Sequence, residues 1–127
     1  ASRITDSLVE QHRRYDLLRA LFWVNSMNIK KLCGNQFHTL IYLYDYGTDD
    51  LIQKSKQAVF SNFLAEVKQT YGNQVVLIPM AKNLNLSAID MLMKSYNITD
   101  TTVMLDEKTK VSDIEKIEDI RTALESS

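Results

Sequence analysis

One cysteine, two histidines and three aspartates on one short stretch are the residues of this chain whose types could do chemistry. Dithiol exchange needs two sulfurs within bonding reach, and Cys33 stands alone, so that reaction has no second partner in the chain. Cys33 follows Lys30 and Lys31 near the end of a helical stretch. A helix C-terminus disfavours a thiolate while the lysines favour it. The plainer role for Cys33 is a small buried hydrophobe on the inner helical face. A reactive thiol or an intermolecular disulfide is the alternative. Asp45, Asp49 and Asp50 would suit Ca²⁺ or a general base, but their spacing is not that of an EF-hand loop, and helix capping accounts for Asp49 and Asp50. His12 and His38 lie on different elements, and no His-x-x-x-His or Cys/His ligand spacing is present, so no metal site is expected. The glycines are Gly34, Gly47 and Gly72, too few and too far apart for a phosphate loop. No nucleophile elbow occurs either. Tyr42, Tyr44 and Tyr46 alternate as a base-stacking platform would, but no basic residue interleaves them, which makes them packing residues. The expectation is a chain with no catalytic residue, no metal and no cofactor.

At 127 residues the chain has the size of one domain and can bury a core without disulfides or metal. Its net charge of −1 argues against a dedicated nucleic-acid binder, which would carry a basic excess, and gives no reason to expect docking on an anionic membrane. No apolar run approaches the ~20 residues of a transmembrane helix. The chain starts Ala1-Ser2 without an initiator Met, the start expected of a piece cut from a longer protein with room for an upstream anchor. A membrane is thus expected only through a segment outside this chain, which would make it an extracytoplasmic domain; the compartment itself stays open. Asn85-Leu86-Ser87 and Asn97-Ile98-Thr99 match the glycosylation triplet, which matters only outside the membrane.

The positioning elements are legible in order. Arg3 to Cys33 holds neither Gly nor Pro and reads as one helix, with Lys30 and Lys31 in its last turn and Gly34-Asn35 as its stop. Such a helix is about 45 Å long at 1.5 Å per residue, longer than the domain is wide. Leu8, Tyr15, Phe22 and Ile29 recur every seven residues, with Ile4, Gln11, Leu18, Asn25 and Leu32 as companions: heptad spacing with polar defects. From Leu17 onward the apolar face widens to Leu21, Trp23 and Val24, which predicts that the second half packs on the domain and the first half is a thinner, exposed stripe. His38–Tyr44 reads as a strand buried on both faces. Asp45 to Asp50 is a turn, and Leu51, Ser55, Ala58, Val59, Phe63 and Val67 carry helical spacing up to Tyr71. Gln74–Pro79 is a second buried strand. Ser87 and Asp90 read as a capping box opening a helix with Ile89, Leu92 and Met93, which ends near Asn97. Thr102–Leu105 and Lys110-Val111 form an antiparallel hairpin. Ser112 or Asp113 caps a last helix with Ile114, Ile117, Ile120 and Leu124 on one face. The predicted fold class is α/β: a mixed four-stranded sheet with helices on both faces, order α-β-α-β-α-β-β-α, behind a long N-terminal helix. Its first strand pair is parallel with a right-handed crossover. The predicted division is a helix over 1–34 and a domain over 35–127.

This order resembles the thioredoxin-like superfamily over about Phe37 to Leu124. Thr39-Leu40-Ile41-Tyr42-Leu43-Tyr44 looks like the strand before that fold's redox loop. Tyr96-Asn97-Ile98 through Thr101-Thr102-Val103-Met104-Leu105 looks like the segment that normally reads Tyr-Gly-Ile, three residues, Pro-Thr and a buried strand. The chain is also similar to anchored archaeal-type proteins that carry a long helix before a thioredoxin domain, where the helix ends in a Leu-x-x-x-Cys-Gly pattern that Lys30-Lys31-Leu32-Cys33-Gly34 looks much like. Two family features are missing. The redox cysteine pair would fall in Thr48–Lys54 and is absent. The cis-proline would fall at Thr101 or Thr102, where a cis bond would cost ~2.5–4 kcal/mol, so a trans bond is expected.

The resemblance therefore implies a redox-inactive, non-catalytic binding or structural module. Its expected docking surface for a protein or peptide is the former redox loop, Tyr46 with Asp49 and Asp50, together with Thr101 and Thr102. The N-terminal stripe adds an expected homo-oligomer contact. The alternative is a single-cysteine thiol-redox protein acting through Cys33.

Overall fold

The computed structural model describes residues 2–34 and 36–126, with side chains from Asp6 onward. Asn35 and the side chain of Ile4 lie outside the described residues. The elements are α1 (Ser2–Cys33), β1 (His38–Tyr44), α2 (Leu51–Tyr71), β2 (Val75–Ala81), α3 (Ser87–Ser95), β3 (Thr102–Leu105), β4 (Thr109–Val111) and α4 (Glu118–Glu125), with short 3₁₀ turns at Gly72–Gln74 and Ile114–Lys116. This is a mixed α/β fold with a four-stranded mixed sheet behind a long N-terminal helix.

The strand order is β2-β1-β3-β4. β1 pairs in parallel with β2 (His38 opposite Val75, Tyr44 opposite Ala81) and antiparallel with β3 (Leu40 opposite Leu105). β3 and β4 form the antiparallel hairpin. The five central residues of β1 are all buried, as its unbroken apolar run requires of an interior strand. Side chains alternate across the pleat. Leu40 and Tyr42 join Val75, Val103 and Leu105 under α2 (Phe60, Phe63, Leu64, Val67) and α4 (Ile120, Leu124). Ile41 and Leu43 join Ile78, Met80 and Met104 under α1 (Ala20, Trp23) and α3 (Ile89).

Local chemistry sets the element ends. Gly34 takes φ +84°, and its N–H reaches the Lys30 carbonyl, closing α1. Asp50 caps α2, its carboxylate accepting from the Ile52 N–H at 3.0 Å. Asn97 adopts φ +57° after α3, the left-handed stop its short amide permits.

Four expectations are corrected. Ser87 lies inside α3 and Leu86 is the cap residue without a side-chain bond, so the expected capping box does not form. Asp113 caps a 3₁₀ turn rather than α4, and Ile114 is exposed, rolled away from the buried line of Ile117, Ile120 and Leu124. On α2 the buried face is Phe60, Phe63, Leu64 and Val67, while Leu51, Ser55, Ala58 and Val59 are exposed. On α1, Leu17, Leu21 and Val24 do not pack inward; Trp23 alone of the widened set is buried. Two apolar stripes compete on that helix, and the sheet selects the narrower one through Ala20 and Trp23.

Trp23 is fully buried, stacks on Tyr96 with ring centres 5.6 Å apart and donates its indole N–H to Glu107 at 3.0 Å. Trp23→Ala removes both contacts and opens a cavity. It should cost about 3–5 kcal/mol of unfolding free energy, read from urea denaturation, whereas Met91→Ala at an exposed position should stay within about 0.5 kcal/mol of wild type.

Candidate functional site

The carboxyl end of β1 opens into the turn Asp45–Asp50, at the edge of the parallel pair where α/β folds commonly bind ligands. A polar network fills this end. Lys82 ion-pairs with Asp45 at 2.7 Å. The Gln53 amide donates to Asp45 at 3.1 Å and to Thr101 Oγ1. Gln57 Oε1 accepts from the Asp45 backbone N–H at 2.6 Å, and Asn83 braces both the N–H and the carbonyl of Tyr46 at 2.9 Å. Lys56 reaches Asp100 at 2.9 Å, and this hydrogen bond holds the Asp100 carboxyl below the usual carboxylate range. The loop after β1 and the loop before β3 are thereby brought together, although 48 residues separate Gln53 from Thr101.

The expected docking residues divide by exposure. Tyr46 is half-buried, its ring stacked on His12 at 4.2 Å, and Asp49 and Asp50 are exposed. Thr101 and Thr102 are buried, Thr101 holding Gln53 and Thr102 bonding the Asp100 carbonyl at 2.8 Å. That corrects their expected role: they fasten the loop and present no side chain to a partner. The peptide bonds here are trans.

Beside the network lies a groove of about 690 Å³ that sequence reasoning missed. Its walls are Leu51, Ile52, Ser55, Lys56 and Val59 of α2 and Ser112 to Ile114. Leu51 and Ile52 are 76 % and 81 % exposed. Two large aliphatic side chains in water on the first turn of a helix are costly unless something covers them. The sequence shows two adjacent aliphatics at the start of α2, but nothing local to them says that both stay in water: the adjacent pair Phe63 and Leu64 on the same helix is buried.

The histidines separate into two clusters. His12 Nε2 lies 2.9 Å from the Tyr44 hydroxyl and 3.2 Å from Asp16, whose fully buried carboxylate also accepts from the Ala81 N–H and from Arg19. Burial raises the Asp16 carboxyl pKa, and burial together with the Asp16 charge pushes the Tyr44 phenol up to about 12. His38 Nδ1 lies 2.6 Å from Asp106, which also receives Lys30 Nζ at 2.8 Å and the Thr39 N–H at 3.0 Å. Burial works against the Asp106 carboxylate, but the bonds from Lys30, His38 and the Thr39 N–H outweigh it and set its pKa below the ordinary value. Asp106 and Glu107 both sit at positive φ, +52° and +58°, in the β3–β4 turn. A hollow of about 740 Å³ lies there, but its charged walls are largely paired with one another. Among the described residues no group of three or more His, Cys, Asp or Glu is placed to hold a metal.

Cys33 is exposed, not buried on the inner helical face. No helix among the described residues is long and apolar enough to cross a membrane. No protein-family model, curated protein or solved structure matches this chain.

Asp106→Asn keeps the shape of the turn but removes the charge that Lys30 and His38 face. It should cost about 2 kcal/mol at pH 7, as expected for a charge-assisted hydrogen bond. Because the folded-state pKa of Asp106 is lowered, the wild-type advantage should be complete above the unfolded value near 3.9 and vanish as pH falls through the lower folded value. Urea denaturation of both proteins between pH 2.5 and 7 measures it.

Proposed function

We propose that this chain is a redox-inactive, thioredoxin-like binding module that docks a protein or peptide at the groove beside the former redox loop. The observation that carries the reading is the exposure of Leu51 and Ile52 on the first turn of α2, which with Val59 form one wall of an open groove whose other wall includes Ile114. A lining of Leu51, Ile52, Val59 and Ile114 with Lys56 and Asp113 among them has the mixed composition of a peptide site, where aliphatic anchors supply affinity and polar groups give orientation. The polar network behind it supports the same reading. Asp45, Gln53, Gln57 and Thr101 bond one another where a thioredoxin would carry sulfur chemistry, and they hold the loop in place without any group to exchange. One cysteine leaves no dithiol cycle.

Panning a displayed peptide library against the whole chain tests this. Binders should carry aliphatic side chains and lose at least about tenfold in affinity, roughly 1.4 kcal/mol, against Ile52→Asp. Because Ile52 is solvent-exposed, the variant should unfold at the wild-type urea midpoint. Binders indifferent to Ile52→Asp and Leu51→Asp would remove the groove from the proposal.

A single-cysteine thiol protein is the second reading, and the exposure of Cys33 is what favours it. Mass-detected alkylation of native protein separates the two. A rate like that of a small free thiol at the same pH leaves the binding module standing. A rate faster by about a hundredfold, the mark of an activated thiolate, would turn the search to a mixed-disulfide partner.

A further inference from the structure

The α2 groove is aliphatic in its lining and unbalanced in its charge. Of the two charged residues that line it, Lys56 is already neutralised. Its side chain is mostly buried, with Nζ 2.9 Å from Asp100 and 5.8 Å from the centre of the Phe60 ring. Asp113 is exposed and, among the described residues, makes no ion pair. We infer that the groove takes a basic peptide, a short segment whose aliphatic side chains cover Leu51, Ile52, Val59 and Ile114 while flanking lysines or arginines meet Asp50 and Asp113. This rests on the peptide-docking reading above and adds the chemistry of the partner.

Asp50 and Asp113 are set alike. Asp50 caps the helix of one wall and Asp113 the 3₁₀ turn of the other. Each accepts a backbone N–H at Oδ1, from Ile52 at 3.0 Å and from Glu115 at 3.1 Å. Among the described residues neither Oδ2 takes a hydrogen bond, and both residues are exposed. A capping bond fixes the carboxylate, so its second oxygen is held out as an acceptor in a defined place. An ammonium or guanidinium donor makes the strongest bond open to it.

The surroundings carry the same sign. Asp49, Asp50, Lys54 and Lys56 on one wall, Asp113, Glu115 and Lys116 on the other, and Asp100 beside Lys56 leave a surplus of two negative charges. Lys54 and Lys116 are exposed, and neither lines the groove. The N-terminus of α2 opens here too, but its dipole is worth only about half a positive charge and does not reverse the sign. An acidic peptide or an anionic bilayer would meet like charge on both walls. A field of one sign acts on partner choice and on association rate, while the aliphatic contact supplies the affinity.

Panning a displayed peptide library against the whole chain should return sequences with Lys or Arg beside their aliphatic residues. The best binder is then synthesised as found and with its cations replaced by glutamine. The cationic peptide should weaken at least about fivefold as sodium chloride rises to about 0.5 M. Asparagine caps as well as aspartate, so the double variant Asp50→Asn, Asp113→Asn should keep the wild-type circular dichroism. It should bind the cationic peptide about fivefold more weakly, as expected for two exposed ion pairs, and the glutamine peptide as wild type does. Binders that depend on Ile52 but carry neutral or acidic flanks, or a cationic binder indifferent to the double variant, would overturn the inference and leave the groove standing as a docking site. Self-association of the chain that Ile52→Ala abolishes would name a second copy as the occupant and overturn it as well. No binder at all, or binders indifferent to Ile52→Ala, would remove the groove reading and this inference with it.

Discussion

The whole arrangement depends on β1 having no face that water can share. Leu40 and Tyr42 point one way, Ile41 and Leu43 the other, and none of them is exposed. Hydrogen bonds to β2 on one side and β3 on the other satisfy its backbone, so the strand must lie inside the sheet. Each face then needs its own cover. α2 and α4 supply one layer and α1 and α3 the other, which makes the two apolar clusters consequences of a single seven-residue segment. The end of such a strand is also where loops converge, and the polar network of Asp45, Gln53, Gln57 and Thr101 forms there because the buried backbone leaving β1 still needs partners.

α1 is held differently from α2. Among the described side chains of α1, only Ala20 and Trp23 lie fully in the apolar core. The rest of its seating is polar: Asp16 accepts from the Ala81 N–H at the end of β2, and Lys30 and Trp23 reach Asp106 and Glu107 in the β3–β4 turn. That turn places two non-glycine residues in left-handed backbone, a conformation that costs of order 1–3 kcal/mol per residue and persists only where the surroundings enforce it. Lys30, His38, Thr39 and Trp23 are those surroundings. Hydrogen bonds are directional where apolar contact is not, so this seating fixes the rotation of α1 about its own axis. With Asp16, Trp23 and Lys30 turned inward, the heptad stripe has no choice but to face solvent.

Much of the fold was legible because it rests on local rules. The unbroken run of β1 marked an interior strand, Asp50 marked the start of α2, and Gly34 and Asn97 marked helix ends. Where the reading failed, two local rules competed. α1 carries both a heptad stripe and the Ala20–Trp23 line, and nothing local says which one meets the sheet. Ser87 fits a capping box, but the chain enters α3 one residue earlier and leaves the serine already helical. The candidate site was legible as a place and not as a surface. The loop after β1 is there, and Gln53 and Lys56 join it to Asp100 and Thr101, but burial withdraws the two threonines and exposes Leu51 and Ile52 instead.

The sequence by itself determined the element types, the end of α1, the start of α2, the interior position of β1 and the absence of a dithiol. Each of these is decided by residue type or by spacing within a few positions. Only the tertiary structure decided which face of α1 is covered, that Cys33 stands in water, and that Lys30 and His38 converge on Asp106 from 76 and 68 residues away. These depend on how rigid elements rotate when they pack, and that rotation is set by long-range contacts whose partners leave no periodic trace along the chain.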